Sequence, residues 1–394
     1  MSRNQKQGKD LKETFNLLLI GDANNIFNRS FTEWMKIKNP YYKISIISTH
    51  PLKELYRNEH PYDDLYSVKQ ISRLVSKIVI LRNICRAWNV LKIAMKHKLY
   101  PNTILVQFVN NWQAFIGPIL KRRCDNYCLA IWGSDFYRST SKFYLKNNLS
   151  QADNIIIVTP QMVRDFKKKF VQFTGKLHLC YFGNGQIEYL KKLKENSVSK
   201  KDSNAHFKLS DKKINVAIGH YGTRAHQHVL ILKELLSLDT NVAKKIRLIL
   251  PLNYGLPEGY LEEILNAVIE LNIEYKVFTE FLTGDDLAHL RNMVDIMVNL
   301  QTTDAFSASM REVFYCGGVV INGSWLPYQF LKEKGIYYEE VDSVQMLPEL
   351  IQKIVDQFDH YKKRCKENPA KIYELTSWNG LISEWRKVIE LKRS

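Results

Sequence analysis

Asp304 and Glu312 are separated by seven residues in the stretch DAFSASMREVFYCGG, residues 304–318. Ser309-x-x-Glu312 has the spacing of a capping box, in which Glu312 would serve the backbone N–H groups of its own helix start. The same start follows the apolar run IMVNL, residues 296–300, so its unpaired N–H groups also suit the oxygens of a diphosphate. Ser307, Ala308 and Ser309 are small enough to let such a group reach the backbone. Asp304 lies ahead of the helix. There it is either an Asx-turn residue in a polar loop or a carboxylate that holds a sugar hydroxyl and supports oxocarbenium-like charge.

Other stretches place polar residues directly after apolar runs. GHYGTRAHQH, residues 219–228, joins Gly219 and Gly222 to Arg224 and His228. Arg224 would fork onto diphosphate oxygens while His228 begins a helix; the plain alternative is a surface turn. His226 and His228 have no third ligand near them in sequence, so no metal is expected. In GDANN, residues 21–25, Gly21 permits a tight strand-to-helix turn. It lacks a GxGxxG fingerprint, so no dinucleotide cofactor is expected. Asp22, Asn24 and Asn25 either face a polar ligand beyond the strand end or simply cap the following helix. In WGSDFYR, residues 132–138, Trp132 and its aromatic neighbours flank an acid, which suits stacking on a sugar face. Asp135 is a candidate general acid or base, and an N-cap among buried aromatics fits the same residues equally well.

Strands must end just before these stretches. FNLLLIG (15–21), YKISIIS (42–48), TILVQFV (103–109), YCLAIW (127–132) and NIIIVT (154–159) suit buried parallel strands. Residues 71–97 carry apolar residues at helical spacing, interleaved with Arg73, Lys77, Arg82, Arg86, Lys92 and Lys96. LKENSVSKKDSNAHFKLSDKK, residues 193–213, is polar and aperiodic and reads as an exposed linker or surface loop. A second series follows, with strands over 213–219, 246–251, 275–278, 296–300 and 319–322. Helices are expected over 228–238, 258–271, 284–293 and 309–316. Such alternation implies open, mostly parallel α/β sheets, and 394 residues suit two domains of roughly 150–200 residues each. Ligands of such sheets bind beyond the carboxyl ends of the strands, which points to the loops above and to a cleft between the two domains.

The formal charge of +17 calls for an anionic partner: nucleic acid, an acidic membrane surface or a phosphorylated substrate. No pattern of aromatics on alternating strand positions marks an RNA- or single-strand-binding fold, so nucleic acid is not expected. The basic stretch 71–98 reads either as a crossover helix with a solvated face or as a membrane-docking amphipathic helix. The six Cys show no metal-ligand spacing and read as reduced thiols of a cytosolic protein. MSRNQKQGKDLKETF lacks the apolar run of a signal peptide. No apolar run approaches the ~20 residues needed to cross a bilayer, so a soluble or surface-resting protein is expected.

With Gly317 and Gly318 behind it, the Asp304–Glu312 spacing resembles the acid-x7-Glu motif of retaining GT-B glycosyltransferases of family 4. In that motif the helix start holds the nucleotide diphosphate and the second acid holds the ribose hydroxyls. IGHYGTRAHQHVLILKEL (218–235), IRLILPLNYGLPEGYLEEI (246–264) and SWNGLISEWRKVI (377–389) resemble the C-terminal half of the Fuc4NAc transferase family of enterobacterial common antigen synthesis, also GT-B. This resemblance covers roughly residues 213–390. YFGNG (181–185) resembles the Asn-Gly turn that ends the N-terminal domain of such enzymes. The chain departs from family 4 by offering Arg224, His226 and His228 but no Lys after the first strand of the second domain, and by having Asp in place of the first Glu.

The resemblance implies an α/β GT-B fold of two Rossmann-like doubly wound domains facing across a cleft. It divides the chain into an acceptor-binding domain over 1–195, a nucleotide-sugar-binding domain over 212–375 and a final helix over 376–394 that crosses back. The implied activity moves a sugar from a nucleotide-diphosphate sugar to a lipid-linked or polymeric glycan of a bacterial surface polysaccharide, with retention and without a cofactor. The implied place is the cytoplasmic face of the plasma membrane, on an anionic surface. Asp304 and Asp135 are the expected catalytic residues. Glu312, Ser307, Ala308, Ser309, Arg224, His228, Gly219 and Gly222 would bind the donor, with Glu280 and Leu282 in the loop that covers the nucleobase. Gly21, Asp22, Asn24, Asn25, Trp132 and Asn184 would face the acceptor. The alternative is a non-catalytic subunit that kept the fold to bind a sugar nucleotide or glycan.

Overall fold

The computed structural model describes residues 13–54, 59–69, 72, 77–137 and 141–392. Ile71, Arg73, Arg138 and the first twelve residues lie outside the described ones. The chain divides into two compact units, Met1–Tyr181 with Leu381–Ser394, and Phe182–Gly380. The second unit thus takes in Asn184 and the helix Gln186–Glu195, which the sequence reading assigns to the first domain.

The first unit is built on a seven-stranded parallel sheet of order β3-β2-β1-β4-β5-β6-β7. Its strands are β1 (Phe15–Gly21), β2 (Tyr42–Ser48), β3 (Asp64–Ser67), β4 (Thr103–Gln107), β5 (Asn126–Ile131), β6 (Asn154–Ile157) and β7 (Leu177–Leu179). The central strands are continuous apolar runs because helices cover both faces; Leu17 to Ile20 of β1 and every residue of β5 are buried. The edge strands β3 and β7 are short and partly exposed, so they leave no apolar run to find. Strand order reverses between β1 and β4. Gly21 ends β1 there, and a Cβ on it would meet Asn28 Nδ2 at 2.8 Å and Gln107 Cβ at 3.2 Å.

The last helix, Trp378–Ile389, supplies this unit with its final turns. Trp385 Nε1 donates to the Tyr181 carbonyl at 2.8 Å, and its ring meets Phe31 edge-on at 5.2 Å. Thr103 Oγ1 donates to the Ile389 carbonyl at 2.6 Å, and the Tyr41 and Tyr42 hydroxyls donate to Glu390 at 2.8 and 2.9 Å. Removing the C-terminal residues would therefore open the first unit.

The second unit holds a six-stranded parallel sheet of order β10-β9-β8-β11-β12-β13. Its strands are β8 (Ile214–Ile218), β9 (Ile246–Pro251), β10 (Glu274–Phe278), β11 (Ile296–Asn299), β12 (Val319–Gly323) and β13 (Glu339–Val341). Order reverses between β8 and β11, which pair with Val216 opposite Ile296. Val216, Ile218, Leu248, Leu250, Val298 and Ile321 anchor one core beneath the covering helices.

The polar stretch 193–213 is not a linker. It completes the helix Gln186–Glu195 and contains the helix Lys200–His206, opened by a capping box between Ser199 and Asp202. Ser203 and Asn204 are buried. Asn215 Nδ2 donates to Asn204 Oδ1 at 2.8 Å, and Asn292 Nδ2 donates to Ser203 Oγ at 2.9 Å. Hydrogen bonds replace apolar contacts on this inner face, which is why hydropathy periodicity misses it.

Candidate functional site

The chain leaves β11 and reaches the helix Ala308–Tyr315 at the switch point of the second sheet. Ser307 is the N-cap, its Oγ accepting from the Met310 N–H at 3.2 Å. The expected Ser309–Glu312 capping box is therefore absent. Helix formation begins two residues earlier than that box requires, so Glu312 falls in the second turn and its carboxylate turns inward. Arg291 Nε donates to Glu312 Oε2 at 2.8 Å and Asn184 Nδ2 donates to Oε1 at 2.9 Å. Arg291 and Glu312 are only 4% and 3% exposed. Arg291 Nη2 also donates to Ser309 Oγ at 2.7 Å, and Asn184 Nδ2 reaches the Ala308 carbonyl at 3.2 Å.

This network corrects the placement of Asn184. Its backbone N–H donates to the Thr376 carbonyl at 2.8 Å, so the chain has already entered the second unit. Its side chain holds Glu312 rather than facing an acceptor from the first domain.

Asp304 sits just ahead of this helix. Its Oδ2 accepts from the Tyr328 hydroxyl, and its Oδ1 accepts from the Ala305 N–H at 2.8 Å. Burial pushes its carboxyl above the ordinary value, opposed by the Tyr328 hydrogen bond and the Arg311 charge. Arg311 is itself buried, and burial lowers its guanidinium to about 10 despite Glu312 and Asp304 nearby. It donates to the Phe182 carbonyl at 2.7 Å and lies 4.6 Å from the centre of the Phe306 ring.

The loop after β8 knits to the loop after β11. The Gly219 N–H donates to the Val298 carbonyl at 2.9 Å, and the Thr302 N–H donates to the Ala225 carbonyl at 2.9 Å. Gly219 has φ of +65°, and a Cβ on it would meet His228 Nε2 at 2.9 Å and His226 at 3.1 Å. The rings of His220 and His226 stand 4.2 Å apart, and those of His226 and His228 5.7 Å apart. All three histidines are buried. Nδ1 of His220 and both ring nitrogens of His226 and His228 have no hydrogen-bond partner among the described residues. Burial holds His226 down to about 3 and His228 to about 4. His220 is driven well below its ordinary value, first by burial and then by the charges of His226 and Arg291. These neutral imidazoles keep unused donors and acceptors. No group of three His, Cys, Asp or Glu placed to hold a metal ion occurs among the described residues.

Tyr221 stacks on Tyr254 at 4.7 Å, and Phe281 meets Tyr254 edge-on at 6.2 Å. Glu280, exposed, and Leu282, half-buried, flank Phe281 in the loop after β10. Gly222 fixes this corner through its N–H, which donates to the Tyr254 carbonyl at 2.8 Å. Arg224 departs from expectation. A 3-10 turn, Arg224–His226, directs it over the Tyr260 ring at 4.3 Å and into a two-point ion pair with Glu263 at the surface. The same turn buries His228 as the first residue of the helix His228–Glu234.

The loop after β1 of the first unit is internally satisfied. Asn25 caps the helix Ile26–Lys38, accepting from the Phe27 N–H at 2.8 Å. Asp22 Oδ1 accepts from Asn24 Nδ2 at 2.7 Å, and Asn24 Oδ1 accepts from the Lys53 N–H at 2.8 Å. For these three residues the capping and turn role is the one seen. Trp132 is a core ring, stacked on Phe108 at 4.8 Å and Phe27 at 5.5 Å, with Nε1 donating to Gln107 Oε1 at 3.1 Å. Its face is covered by protein. Asp135 lies in the short helix Gly133–Tyr137; its Oδ2 accepts from the Val109 N–H at 2.9 Å, while Oδ1 is buried without a partner among the described residues. Burial pushes its carboxyl up to about 8.

Sequence reasoning missed Arg291, His220, Tyr254 and Tyr328. A lone Arg on an amphipathic helix reads as solvated. A signal existed for the histidines, since three in ten residues after an apolar strand is unusual company for a surface turn.

Two doubly wound parallel sheets in one chain are the GT-B class of fold. Residues 16–159 match the family model described as Glycosyl transferase 4-like. No curated protein sequence matches the chain. Among solved structures, the sucrose-phosphate synthase of Thermosynechococcus elongatus is 15% identical, with 95% of this chain and 98% of that one covered and a TM-score of 0.72. HepE of Anabaena, solved with UDP-glucose, is 13% identical over 95% of this chain and 100% of its own, with a TM-score of 0.67. WaaG, a glycosyltransferase involved in lipopolysaccharide biosynthesis, is 10% identical over 95% and 99%, with a TM-score of 0.66. At these identities the likeness is one of fold.

Proposed function

We propose that the protein is a glycosyltransferase whose second unit binds a nucleotide-diphosphate sugar. The observation that carries this reading is the helix start at residues 307–309, placed at a sheet switch point where the adjoining loop after β8 buries histidine nitrogens that have no partner. The diphosphate would rest on the first N–H groups of that helix. His220, His226 and His228 would supply the hydrogen bonds that an Arg and a Lys give in the family 4 pattern. The ribose would reach Glu312, whose carboxylate is oriented by Arg291 and Asn184. The nucleobase would lie near the loop of Glu280 and Leu282. Charge developing on the departing diphosphate would be met by the helix terminus and Arg291 in a buried setting, with no metal required.

The finer reading is transfer with retention, Asp304 holding a hydroxyl of the moving sugar and a protonated Asp135 acting on the acceptor side. The acceptor would be a lipid-linked or polymeric glycan of a bacterial surface polysaccharide, taken up by the first unit at the inner face of the plasma membrane. UDP-glucose is the first donor to try, given the HepE complex. Two pairings favour a second reading, a non-catalytic sugar-nucleotide or glycan-binding subunit: Arg224 with Glu263, and Asp304 with Tyr328.

The test is a thermal-shift screen of nucleotide diphosphates and their sugars, since a ligand of the folded state raises its stability. Active ligands are then used as labelled donors with lipid-extracted acceptors. Binding with transfer supports the enzyme, binding without transfer supports a sugar-nucleotide-binding subunit, and no binding defeats both of these.

A further inference from the structure

We propose that the first unit carries a docking surface for an anionic lipid bilayer, formed by the helices Val79–Lys96, Gln113–Lys121 and Lys142–Gln151. The proposal rests on the reading that places the first unit at a membrane face and is independent of donor binding. The helix Val79–Lys96 turns Ala87, Val90, Leu91 and Ala94 inward. Ile80, Ile84, Trp88 and Met95 recur at i, i+4, i+8 and i+15 and so share one face of the helix. They are 70%, 49%, 59% and 48% exposed. A helix with one buried apolar face and a second, solvent-facing apolar stripe has more apolar surface than its own unit can cover.

The stripe does not end with this helix. Gln113–Lys121 packs against both other helices and exposes Phe115 and Ile119, and Lys142–Gln151 exposes Phe143. Phe115 lies 5.5 Å from Tyr144, joining the patch across two helices.

Charge selects the occupant. Between Asp64 and Asp125 the sequence contains no Asp or Glu, while Lys and Arg recur throughout. Lys92 and Lys96 are exposed and border the apolar stripe, and Arg122 and Lys142 are exposed at the ends of the other two helices. Apolar side chains with a basic border are what an interfacial helix presents to anionic headgroups. A second copy seated on the same face about a two-fold axis would bring Lys92 and Lys96 toward their own counterparts. Single-stranded nucleic acid is the poorer occupant, because the exposed aromatics Trp88, Phe115 and Phe143 stand one to a helix among isoleucines that offer bases no stacking platform.

The experiment is sedimentation of the full chain with vesicles of mixed phosphatidylglycerol and phosphatidylcholine, beside vesicles of phosphatidylcholine alone. The wild type should pellet with the anionic vesicles, less so as salt rises, and Trp88 emission should shift to the blue, a shift lost in Trp88→Phe. Ile84→Ser with Trp88→Ser should weaken binding about tenfold or more. Lys92→Gln should weaken it about fivefold on anionic vesicles alone. These positions are exposed, so the thermal midpoint and nucleotide-sugar binding should stay as in the wild type. The proposal is overturned if the double variant pellets like the wild type or if neutral vesicles bind equally well. It also falls if the same substitutions instead abolish a lipid-free dimer or binding to a single-stranded oligonucleotide.

Discussion

The two units use one topology and treat the loops after their first strands, β1 and β8, in opposite ways. After β1, Asp22 and Asn24 hydrogen-bond to each other, Asn24 and Asn25 accept from nearby backbone, and Trp132 is stacked against two rings. After β8 and β11, the second unit buries histidine nitrogens that have no partner and holds a carboxylate in place with a buried guanidinium. Unsatisfied buried polar groups are costly, so a fold that keeps them at a switch point gains when a ligand arrives to satisfy them. The lesson is that polar residues after a strand mark a site only where the fold leaves their hydrogen-bonding capacity unused.

The sharpest way to break this contrast is Arg291→Met. It would leave Glu312 buried without its cation, which typically costs ~3–5 kcal/mol. Hydrogen exchange should show the loss in the second unit alone; a change under ~1 kcal/mol would mean that Glu312 is not held as described.

Acid should act with opposite sign on the histidines of the second unit and on Asp135 of the first, the raised carboxyl of Asp304 offsetting part of the histidine effect. The three histidines have folded values below their ordinary one, so the unfolded chain binds more protons as pH falls from about 6.5 toward 4. The second unit should lose up to ~1.4 kcal/mol per pH unit for each histidine that titrates in that window. Asp135 is raised to about 8, so the folded first unit holds a proton that the unfolded chain has released above about pH 4. Its stability should fall as pH rises across that window. Asp135→Asn should remove the dependence and make the first unit more stable than wild type above pH ~8. Parallel pH profiles in the two units would contradict the contrast.

A smaller effect is expected at Asn25→Ala, which removes a helix cap worth ~1 kcal/mol. If Asn25 only caps, binding of any acceptor should be unchanged in this variant once the stability loss is corrected for.

Much of the architecture was legible because parallel strands covered on both faces are uninterrupted apolar runs. β1, β2 and β9 carry the bounds expected from sequence. The edge strands β3, β7 and β13 were not legible, being short and partly exposed. The helix Lys200–His206 was hidden for a different reason, since it packs through Ser203 and Asn204. At the candidate site, the acid-x7-Glu spacing points to a helix start that the fold places after β11, but the direction of the Glu312 carboxylate depends on Arg291 from another helix. Arg224 illustrates the converse, a suitable residue in a suitable loop that a single 3-10 turn sends to Glu263.

The most direct test of the central claim is a calorimetric titration of UDP-glucose and related nucleotide sugars into the wild type and Glu312→Gln. The account predicts saturable binding of at least one donor to the wild type and binding roughly tenfold or more weaker in the variant, as expected when a charged hydrogen-bond acceptor is lost. No binding of any donor to the wild type, or equal binding to both proteins, would contradict it.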